Sequence, residues 1–387
     1  MKILLYGGSF NPPHPAHVRA AALGARALKP DRLMIMPAAE PPHKRLAAGS
    51  PPPEERLALT RLAFAQLESA EVSELEILRA GDSYTVDTLR ELADIYPGAE
   101  ITLLLGSDML LTFEQWRDYE TILKSAALAV LSREEGDRAE LESCAARLRE
   151  KYGARVTVLD AAPMPMSSSE MRALLADRSG ADELDGRVYA RIIKMRDYGA
   201  RPQLDWLRAQ AYSFLKPGRI AHVRGCEEEA VKLARRWGAD EGDAAESAIL
   251  HDITKKLDMS EQLLLCEKYA IIIDNPERSN LKLLHARTGA ELSRDLFGAP
   301  ENIYEAIRWH TTGKPDMSLL EKIIYTADYI DPTRSFEGVE PLRKLAYEDI
   351  DAAMALGLSM SLEELRAAGI EPHRATVAAL EWYRKEN

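Results

Sequence analysis

The first half of the chain alternates short apolar segments with longer segments of helical periodicity. This pattern predicts a parallel β-sheet covered by helices on both faces. The predicted strands are Ile3–Tyr6, Leu33–Met36, Leu75–Leu78, Ile101–Leu105, Leu128–Leu131 and Val156–Leu159. The clearest predicted helices between them are Glu54–Glu68 and Thr85–Tyr96. In such a sheet we expect substrates at the carboxyl ends of the strands, where the loops gather.

The second half shows helical periodicity alone, which predicts an all-α domain. Its predicted helices are Ile220–Trp237, Ala244–Leu257, Leu281–Phe297, Ile303–His310, Leu319–Ile330 and Val377–Arg384. Between the two halves, residues 197–202 include a glycine and a proline, which end helices and form short connections. We therefore expect a multidomain protein with domains at 1–198 and 199–387.

Composition narrows the class of partner. A chain of 387 residues with 46% hydrophobic and 29% charged residues fits two globular domains. Its net charge of −12 argues against a nucleic acid polymer as partner, although a local basic pocket can still bind small phosphorylated substrates. The three cysteines lack CxxC spacing, so neither a disulfide framework nor a thiolate zinc site is indicated. We see no leader sequence and no membrane-length apolar run, and expect a cytoplasmic protein.

The first predicted strand runs directly into the segment 7–17, GGSFNPPHPAH. Small residues after a strand let backbone N–H groups approach an anion closely. His14 and His17 lie three residues apart at a predicted helix start, so they share one face, where the helix dipole and free N–H groups favour phosphate. Two imidazoles there can bind a polyphosphate and stabilise the charge that develops as pyrophosphate leaves.

A second candidate phosphate site follows the last predicted strand of this half. Ser167, Ser168 and Ser169 open a predicted helix, with Arg172 one turn further on. Hydroxyl and N–H groups at a helix start, together with an arginine, can hold phosphate. By itself this segment is explained equally well by a serine cap with Glu170 in the first turn. Its pairing with the first motif favours the phosphate site.

The two motifs resemble the HxGH and SSTxxR motifs of the nucleotidyltransferase superfamily, with Ala16 in place of the usual glycine. Over roughly residues 1–198 the chain looks like bacterial nicotinate-nucleotide adenylyltransferases. The supporting segments are GGSFNPPH, PPHK at 41–44, SYTVDTL at 83–89 and GSD at 106–108 followed by Trp116. The resemblance implies a Rossmann-like fold and adenylyl transfer from ATP to nicotinate mononucleotide, with Mg²⁺ neutralising charge.

The same resemblance implies roles for individual residues. The residues that would hold the ATP phosphates or reach the transferring region are His14, His17, Lys44, Ser168 and Arg172. Trp116 would stack on the pyridine ring, and backbone near Thr85 would accept the nicotinate carboxylate. The other implied binding positions are Gly7, Gly8, Ser9, Phe10, Gly106, Asp108, Arg133 and Ser169. A pantetheine-phosphate or nicotinamide-mononucleotide adenylyltransferase is the alternative.

Four histidines and two aspartates of the second half fall at predicted helix positions, in the order His222, His251, Asp252, His285, His310 and Asp328. Imidazole and carboxylate are ligands for iron, manganese or zinc. Asp252 lies inside an apolar predicted helix, and a buried carboxylate needs a cation or strong hydrogen bonds. The pattern therefore predicts a metal site. Lys255, one turn beyond Asp252, could contact a substrate phosphate, but we interpret it as an ordinary solvated lysine.

This order resembles the HD phosphohydrolase superfamily. The strings ILHD at 249–252, RWHTTG at 308–313 and ADYIDP at 327–332 look like bacterial HD-domain symmetrical bis(5′-nucleosyl)-tetraphosphatases, over about residues 204–387. The resemblance implies a dinuclear site containing iron, or else manganese or cobalt. The implied metal ligands are His222, His251, Asp252, His285, His310 and Asp328. Asp252 is also assigned to the catalytic set, and metal-activated water would convert diadenosine tetraphosphate to two ADP.

Three alternatives stay open for the HD half: a nucleotidase, a guanosine-polyphosphate hydrolase, or a binding or dimerisation module without turnover. The expected partners of the whole chain are ATP, nicotinate mononucleotide and a dinucleoside polyphosphate. The sequence leaves the oligomeric state open, a homodimer included.

Overall fold

The computed structural model describes residues 1–42, 45–132, 136–160, 166–274 and 277–386. The chain forms two compact units, Met1–Arg201 and Pro202–Asn387. Among the described residues, no helix combines the length and apolar character needed to cross a membrane.

The first unit contains a six-stranded sheet in the order β3-β2-β1-β4-β5-β6, and each neighbouring pair is parallel. The strands are β1 (Lys2–Gly8), β2 (Arg32–Pro37), β3 (Ala70–Val72), β4 (Glu100–Gly106), β5 (Ala126–Leu131) and β6 (Val156–Val158). This confirms the predicted parallel α/β fold. The strand order reverses between β1 and β4, and a crevice opens at such a point because the loops leave toward opposite faces.

Helices cover the sheet because its central strands are apolar on both faces; Leu4, Ile35 and Leu104 are at most 1% exposed. The helices are α1 (Pro15–Leu28), α2 (Pro53–Phe64), α3 (Leu75–Arg79), α4 (Thr85–Ile95), α5 (Ser107–Leu111), α6 (Tyr119–Ser125), α7 (Arg138–Tyr152), α8 (Ser168–Ala176) and α9 (Gly186–Met195). Short 3₁₀ helices lie at Phe113–Gln115 and Asp197–Gly199.

One predicted strand is wrong. The segment Leu75–Leu78 lies in helix α3, and the third strand is Ala70–Val72. Apolar and polar residues alternate in this segment, a pattern that a short strand and a single helical turn share. The helical turn is stabilised because Ser73 Oγ accepts a hydrogen bond from the first N–H of α3. It also turns Glu76 inward, where the carboxylate accepts a 2.5 Å hydrogen bond from Thr88.

The second unit is helical in its described residues, as predicted. Its helices are α10 (Leu204–Ser213), α11 (Ile220–Trp237), α12 (Glu241–Leu250), α13 (Met259–Lys268), α14 (Leu281–Phe297), α15 (Glu301–Trp309), α16 (Leu319–Ile330), α17 (Val339–Glu348), α18 (Ile350–Ala367) and α19 (Arg374–Glu386). Short 3₁₀ helices lie at Pro217–Arg219 and Glu277–Ser279. Helices α11, α14 and α16 have the predicted bounds.

The helix predicted over Ala244–Leu257 ends early, at Leu250, so the His251-Asp252 pair follows helix α12 rather than lying inside it. His251 Nδ1 lies 2.6 Å from the Ala248 carbonyl oxygen. In a continuing α-helix that carbonyl would accept from the N–H of Asp252, so the imidazole competes for it. The chain continues in tighter turns, with Lys255 N–H donating to the Asp252 carbonyl.

Candidate active sites

The first unit contains a cavity of about 650 Å³ at the carboxyl ends of β1 and β4. This is where the reversal of strand order predicts a ligand. Twelve of the predicted residues line it: Gly7, Gly8, Ser9, His14, His17, Thr85, Gly106, Asp108, Trp116, Ser168, Ser169 and Arg172. Lys44 and Arg133 lie outside the described residues.

Phe10 differs from its predicted binding role. Its side chain is only 1% exposed and is absent from the cavity lining. The ring packs edge-on against Tyr6, His17 and Phe64, with centroid distances of 5.6, 5.1 and 5.7 Å. Phe10 therefore supports the loop from beneath, because a large apolar ring gains more from burial than from a polar pocket.

The two histidines of the first motif form the start of helix α1. His14 is the N-cap residue, and its backbone N–H donates to Nδ1 of His17 at 3.2 Å. The two rings stack with their centroids 3.7 Å apart. Because Nδ1 of His17 accepts this hydrogen bond, the neutral ring carries its proton on Nε2. The motif thus fixes both the position and the tautomer of His17 at the cavity.

The serine motif both caps a helix and reaches the first motif. Ser167 caps α8 in a capping box with Glu170, so this segment does form a serine cap. The next residues add long-range contacts: Ser168 Oγ donates to the Pro12 carbonyl at 3.1 Å. Arg172 Nη1 donates to the Asn11 carbonyl at 2.7 Å. Two motifs about 150 residues apart are therefore joined along one wall of the cavity.

A fully buried arginine supports the same wall. Arg56 of α2 is 0% exposed, and its guanidinium donates to the carbonyls of Ser9 (2.9 Å), Ala38 (2.7 Å) and Ala39 (2.5 Å). These carbonyls belong to the loops that follow β1 and β2. Burial lowers the pKa of Arg56. Nothing in the helical pattern of α2 distinguishes Arg56 from a solvated residue, so its role could not be predicted from the sequence.

Removing this guanidinium should destabilise the first unit. We expect Arg56→Met to lower the free energy of unfolding by about 2–4 kcal/mol, because three carbonyls lose their donors at once. Chemical denaturation of the full chain, monitored with a spectroscopic probe in the first unit, measures the change in the free energy of unfolding. Arg61→Met on the same helix is the control. Its ion pair with Glu74 is about half exposed on both sides, so its effect should stay within about 0.5 kcal/mol.

The same cavity is also lined by aromatic and charged side chains. Trp116 lines it and packs on Phe113 at 5.0 Å between ring centroids. Arg117 was not among the residues predicted from the sequence; it lines the cavity, and its guanidinium lies 4.4 Å above the ring of Tyr84. Glu76, which was also not predicted, lines the cavity, and burial raises its pKa. Only their closeness in space to the predicted residues reveals them.

In the second unit, the six predicted ligands come from five separate places in the chain and converge. His222 lies on α11, His251 and Asp252 follow α12, and the other three lie on α14, at the end of α15 and on α16. The ring nitrogens and carboxylate oxygens face one another at 3.0 Å for His222–Asp328, 3.4 Å for His251–Asp252, 3.9 Å for His251–Asp328, 3.2 Å for His285–Asp252 and 3.9 Å for His310–Asp252.

Backbone and side-chain acceptors orient three of the imidazoles. Nδ1 of His222 lies 3.0 Å from Asp331, and Nδ1 of both His251 and His310 lies 2.6 Å from a backbone carbonyl three residues earlier. An Nδ1–H that donates in this way leaves the lone pair of Nε2 for a metal. Asp331 lies within the ADYIDP string, but its supporting role was not predicted from the sequence.

These residues fit metal ions. Two overlapping groups, His222–His251–Asp328 and His251–Asp252–His310, each bring their ligand atoms within 4.8 Å of one another. Nε2 of His222, Nε2 of His251 and Oδ1 of Asp252 are buried without a hydrogen-bond partner. Buried acceptors that face each other need cations between them. The imidazoles His251 and His285 hold the pKa of Asp252 well below its usual range despite its burial.

The interpretation of Lys255 as a solvated lysine is wrong. Its Nζ lies 3.0 Å from Nε2 of His285 and 3.6 Å from Oδ1 of Asp252. Burial lowers the pKa of Lys255. Arg219 and Arg334, which were not predicted from the sequence, also reach the ligand carboxylates. Both arginines are far from the His251-Asp252 pair in sequence, so the sequence does not reveal that the fold brings them to the metal-ligand cluster.

The folds and sites define the class of each unit. Residues 5–174 match the cytidylyltransferase-like family model, and residues 219–333 match the HD domain model. The first unit is thus a nucleotidyltransferase and the second an HD-domain hydrolase.

Relatives narrow both classes. The chain is 38% identical over 188 residues to the probable nicotinate-nucleotide adenylyltransferase of Geobacter sulfurreducens, covering 45% of this chain and 87% of that protein. It is 42% identical over 160 residues to the symmetrical bis(5′-nucleosyl)-tetraphosphatase of Halalkalibacterium halodurans, covering 39% and 83%. One protein of Mycoplasma pneumoniae, named probable nicotinate-nucleotide adenylyltransferase/Ap4A hydrolase, is 27% identical over 92% of this chain and 97% of its own length.

The chain therefore belongs to the nicotinate-nucleotide adenylyltransferase family through its first unit, and to the symmetrical bis(5′-nucleosyl)-tetraphosphatase family through its second. Both predicted resemblances are confirmed.

Proposed function

We propose that the chain is a bifunctional enzyme of NAD biosynthesis. The first unit joins ATP and nicotinate mononucleotide to give deamido-NAD and pyrophosphate. The second unit hydrolyses diadenosine tetraphosphate to two ADP. The observation that carries the first activity is that hydrogen bonds from Ser168 and Arg172 connect the two phosphate motifs along one cavity. The observation that carries the second is the convergence of four imidazoles and two carboxylates with unsatisfied buried acceptors.

In the first unit the reaction is a direct displacement. A phosphate oxygen of nicotinate mononucleotide forms a bond to the α-phosphorus of ATP, and the bond from that phosphorus to the β-phosphate oxygen breaks. His14, His17 and Arg172 orient the triphosphate and stabilise the negative charge of the departing pyrophosphate. Lys44 is assigned to the same role by resemblance. Mg²⁺ bound to ATP would neutralise part of that charge.

The acceptor preference follows from the aromatic and charged side chains that line the cavity. Trp116 offers a stacking surface for the pyridine ring, and the first N–H groups of α4, near Thr85, can receive a carboxylate. Arg117 lies beside them and adds a positive charge. The N–H groups of α4 and the charge of Arg117 would both stabilise a bound carboxylate, whereas they would stabilise a neutral amide much less.

We expect kcat/KM for pyrophosphate release to be at least about tenfold higher with nicotinate mononucleotide than with nicotinamide mononucleotide. Phosphopantetheine should give no turnover above background. A coupled pyrophosphate assay with the three acceptors at matched concentrations measures this. Equal or faster turnover with either of the other acceptors would assign the first unit to a different adenylyltransferase.

In the second unit His222, His251, Asp252, His285, His310 and Asp328 would hold the metal pair, which we propose to be iron, with manganese or cobalt as substitutes. Bound metals lower the pKa of a coordinated water and so supply a nucleophile near neutral pH. The chain's own contribution is to hold Nε2 of three of the imidazoles in place through Nδ1 contacts, such as that between His222 and Asp331. Metal analysis of the purified chain and hydrolysis assays with each added ion test this assignment.

A further inference from the structure

Glu76 is a buried carboxyl group that lines the cavity of the first unit. It lies on the short helix α3, which buries Glu76 to 7% exposure while leaving Leu78 74% exposed. Hydrophobic burial alone favours the reverse orientation, with the leucine inside and the carboxyl group in water. A buried carboxyl group is stable only when it is hydrogen-bonded. The orientation of α3 therefore depends on the hydrogen bonds of Glu76.

The shortest of these hydrogen bonds comes from Thr88, a buried residue in the first turn of α4. Its Oγ1 donates to Oε1 of Glu76 at 2.5 Å and accepts from Nη2 of Arg79 at 3.0 Å. A hydroxyl has one proton, and Arg79 can only donate, so the proton of Thr88 is directed at an acceptor. Oε1 of Glu76 is a closer acceptor than the Tyr84 carbonyl oxygen, which lies at 3.4 Å. Thr88 thus connects α4 to the carboxyl group of α3.

Ser83 forms a second contact of Glu76. Ser83 Oγ accepts the N–H of Ala39 at 2.9 Å, which leaves the hydroxyl proton for the carboxyl group. Burial raises the pKa of Glu76, and hydrogen bonds from Thr88 and Ser83 act against this rise because they stabilise the ionised form. The carboxyl group therefore holds two hydroxyls, one before α4 and one within its first turn.

These two hydroxyls flank Thr85, the first residue of α4. Ser83 precedes Thr85 by two residues, and Thr88 follows it by three. The first N–H groups of a helix have no carbonyl partner within the helix, and the N-cap residue here, Tyr84, is not of a capping type. These N–H groups are the ones expected to receive the carboxylate of the acceptor. Because Glu76 holds the segment on both sides of them, it determines where they point.

We propose that Glu76 is a positioning residue that sets the preference of the first unit for an acidic acceptor. It acts through Ser83 and Thr88, which keep the N–H groups near Thr85 aligned with the acceptor carboxylate. Hydrogen bonds to a charged oxygen are strong and depend on alignment, so a small shift of α4 costs the acid more than the neutral amide. The proposal rests on the proposed transfer to nicotinate mononucleotide, and deepens it by assigning a residue on which the acceptor preference depends.

Replacing Glu76 with alanine should weaken acceptor binding and leave the chemical step intact. We expect Glu76→Ala to raise KM for nicotinate mononucleotide about tenfold, with kcat and KM for ATP within about twofold of wild type. KM for nicotinamide mononucleotide should change less than about twofold, so the acid-to-amide ratio of kcat/KM should fall. Glutamine keeps an oxygen for the Thr88 hydroxyl, so Glu76→Gln should recover most of the preference. Pyrophosphate release measured with each acceptor gives these constants.

A second substitution tests whether Glu76 acts through Thr88. Thr88→Val removes the hydroxyl and keeps the size of the side chain, and it should raise the same KM by at least about threefold. Because both variants break one hydrogen bond, their effects should not multiply: the double variant should lie within about twofold of Glu76→Ala alone.

Glu91→Ala is the matched control. Glu91 lies on α4 and accepts from Nη1 of Arg79 at 3.0 Å, so it belongs to the same group of charges, but it lies outside the cavity lining. All constants should stay within about twofold of wild type in this variant.

If kcat and both KM values of Glu76→Ala worsen together with Tm, or if the acid-to-amide ratio is unchanged, Glu76 only supports the fold and the proposal is wrong. A lower KM for nicotinate mononucleotide also overturns it, because Glu76 would then act directly as a repelling charge. Calorimetric titration with nicotinate mononucleotide separates this role from the reaction. Wild-type binding that weakens in Glu76→Ala, without turnover by the wild type, would keep the positioning role and reject the adenylyl transfer. If the wild type does not bind this acceptor, both are rejected.

Discussion

Replacing His251 with alanine should reduce hydrolysis of diadenosine tetraphosphate by at least about 10³-fold while adenylyl transfer continues at the wild-type rate. His251 belongs to both ligand groups, His222–His251–Asp328 and His251–Asp252–His310. Replacing His251 therefore removes a ligand from both metal positions. Without bound metal, the site can no longer lower the pKa of a water molecule. Both activities and the metal content should be measured on the same preparation of the full chain.

His373→Ala is the control for this substitution. His373 belongs to the same unit but lies outside the ligand cluster, and its Nδ1 accepts a hydrogen bond from the N–H of Ala375 at the start of α19. We expect a modest loss of stability of about 1 kcal/mol and hydrolysis within about twofold of wild type. Retained hydrolysis and full metal content in His251→Ala would exclude the assigned metal site.

The helices that could be predicted from sequence are those whose periodicity and end signals agree. Helices α11 and α14 each end before a glycine with positive φ, at Gly238 (80°) and Gly298 (59°). Helix α16 starts with a capping box at Ser318. Glycine removes the steric penalty of that backbone conformation, so the residue itself marks the helix end. The segment after α12 has no such signal, because its helix ends through a contact of the His251 side chain.

The metal ligands could be predicted for a different reason: their residue types are unusual in apolar helices. His251 and Asp252 stand out in the string AILHDI, where burial of a carboxylate demands a cation. Arg219, Asp331 and Arg334 do not stand out, since arginine and aspartate are ordinary at helix ends and in turns. Their roles follow from distances of 2.5 to 3.2 Å to groups up to 109 residues away. Periodicity carries no information about such distances.

Replacing His17 should have the largest effect on the other activity. We expect His17→Ala to lower kcat for adenylyl transfer by about 10²- to 10³-fold, because the cavity loses a donor that stabilises charge on the leaving pyrophosphate. Hydrolysis of diadenosine tetraphosphate by the same preparation should be unchanged. Pyrophosphate release under saturating ATP and nicotinate mononucleotide measures the loss. Arg26→Ala, in the exposed last turn of α1, should leave both activities at wild-type levels.

Two further variants separate catalysis from helix capping, since Nδ1 of His17 also accepts the backbone N–H of His14. Asparagine can place an oxygen near the position of Nδ1, so His17→Asn should keep the cap and the stability of the first unit yet lose activity like alanine. Glutamine can place its amide near Nε2, so His17→Gln should recover part of kcat. If His17→Asn instead retains full activity, the histidine serves only to start the helix, and the phosphate site must depend on His14 and the α8 motif alone.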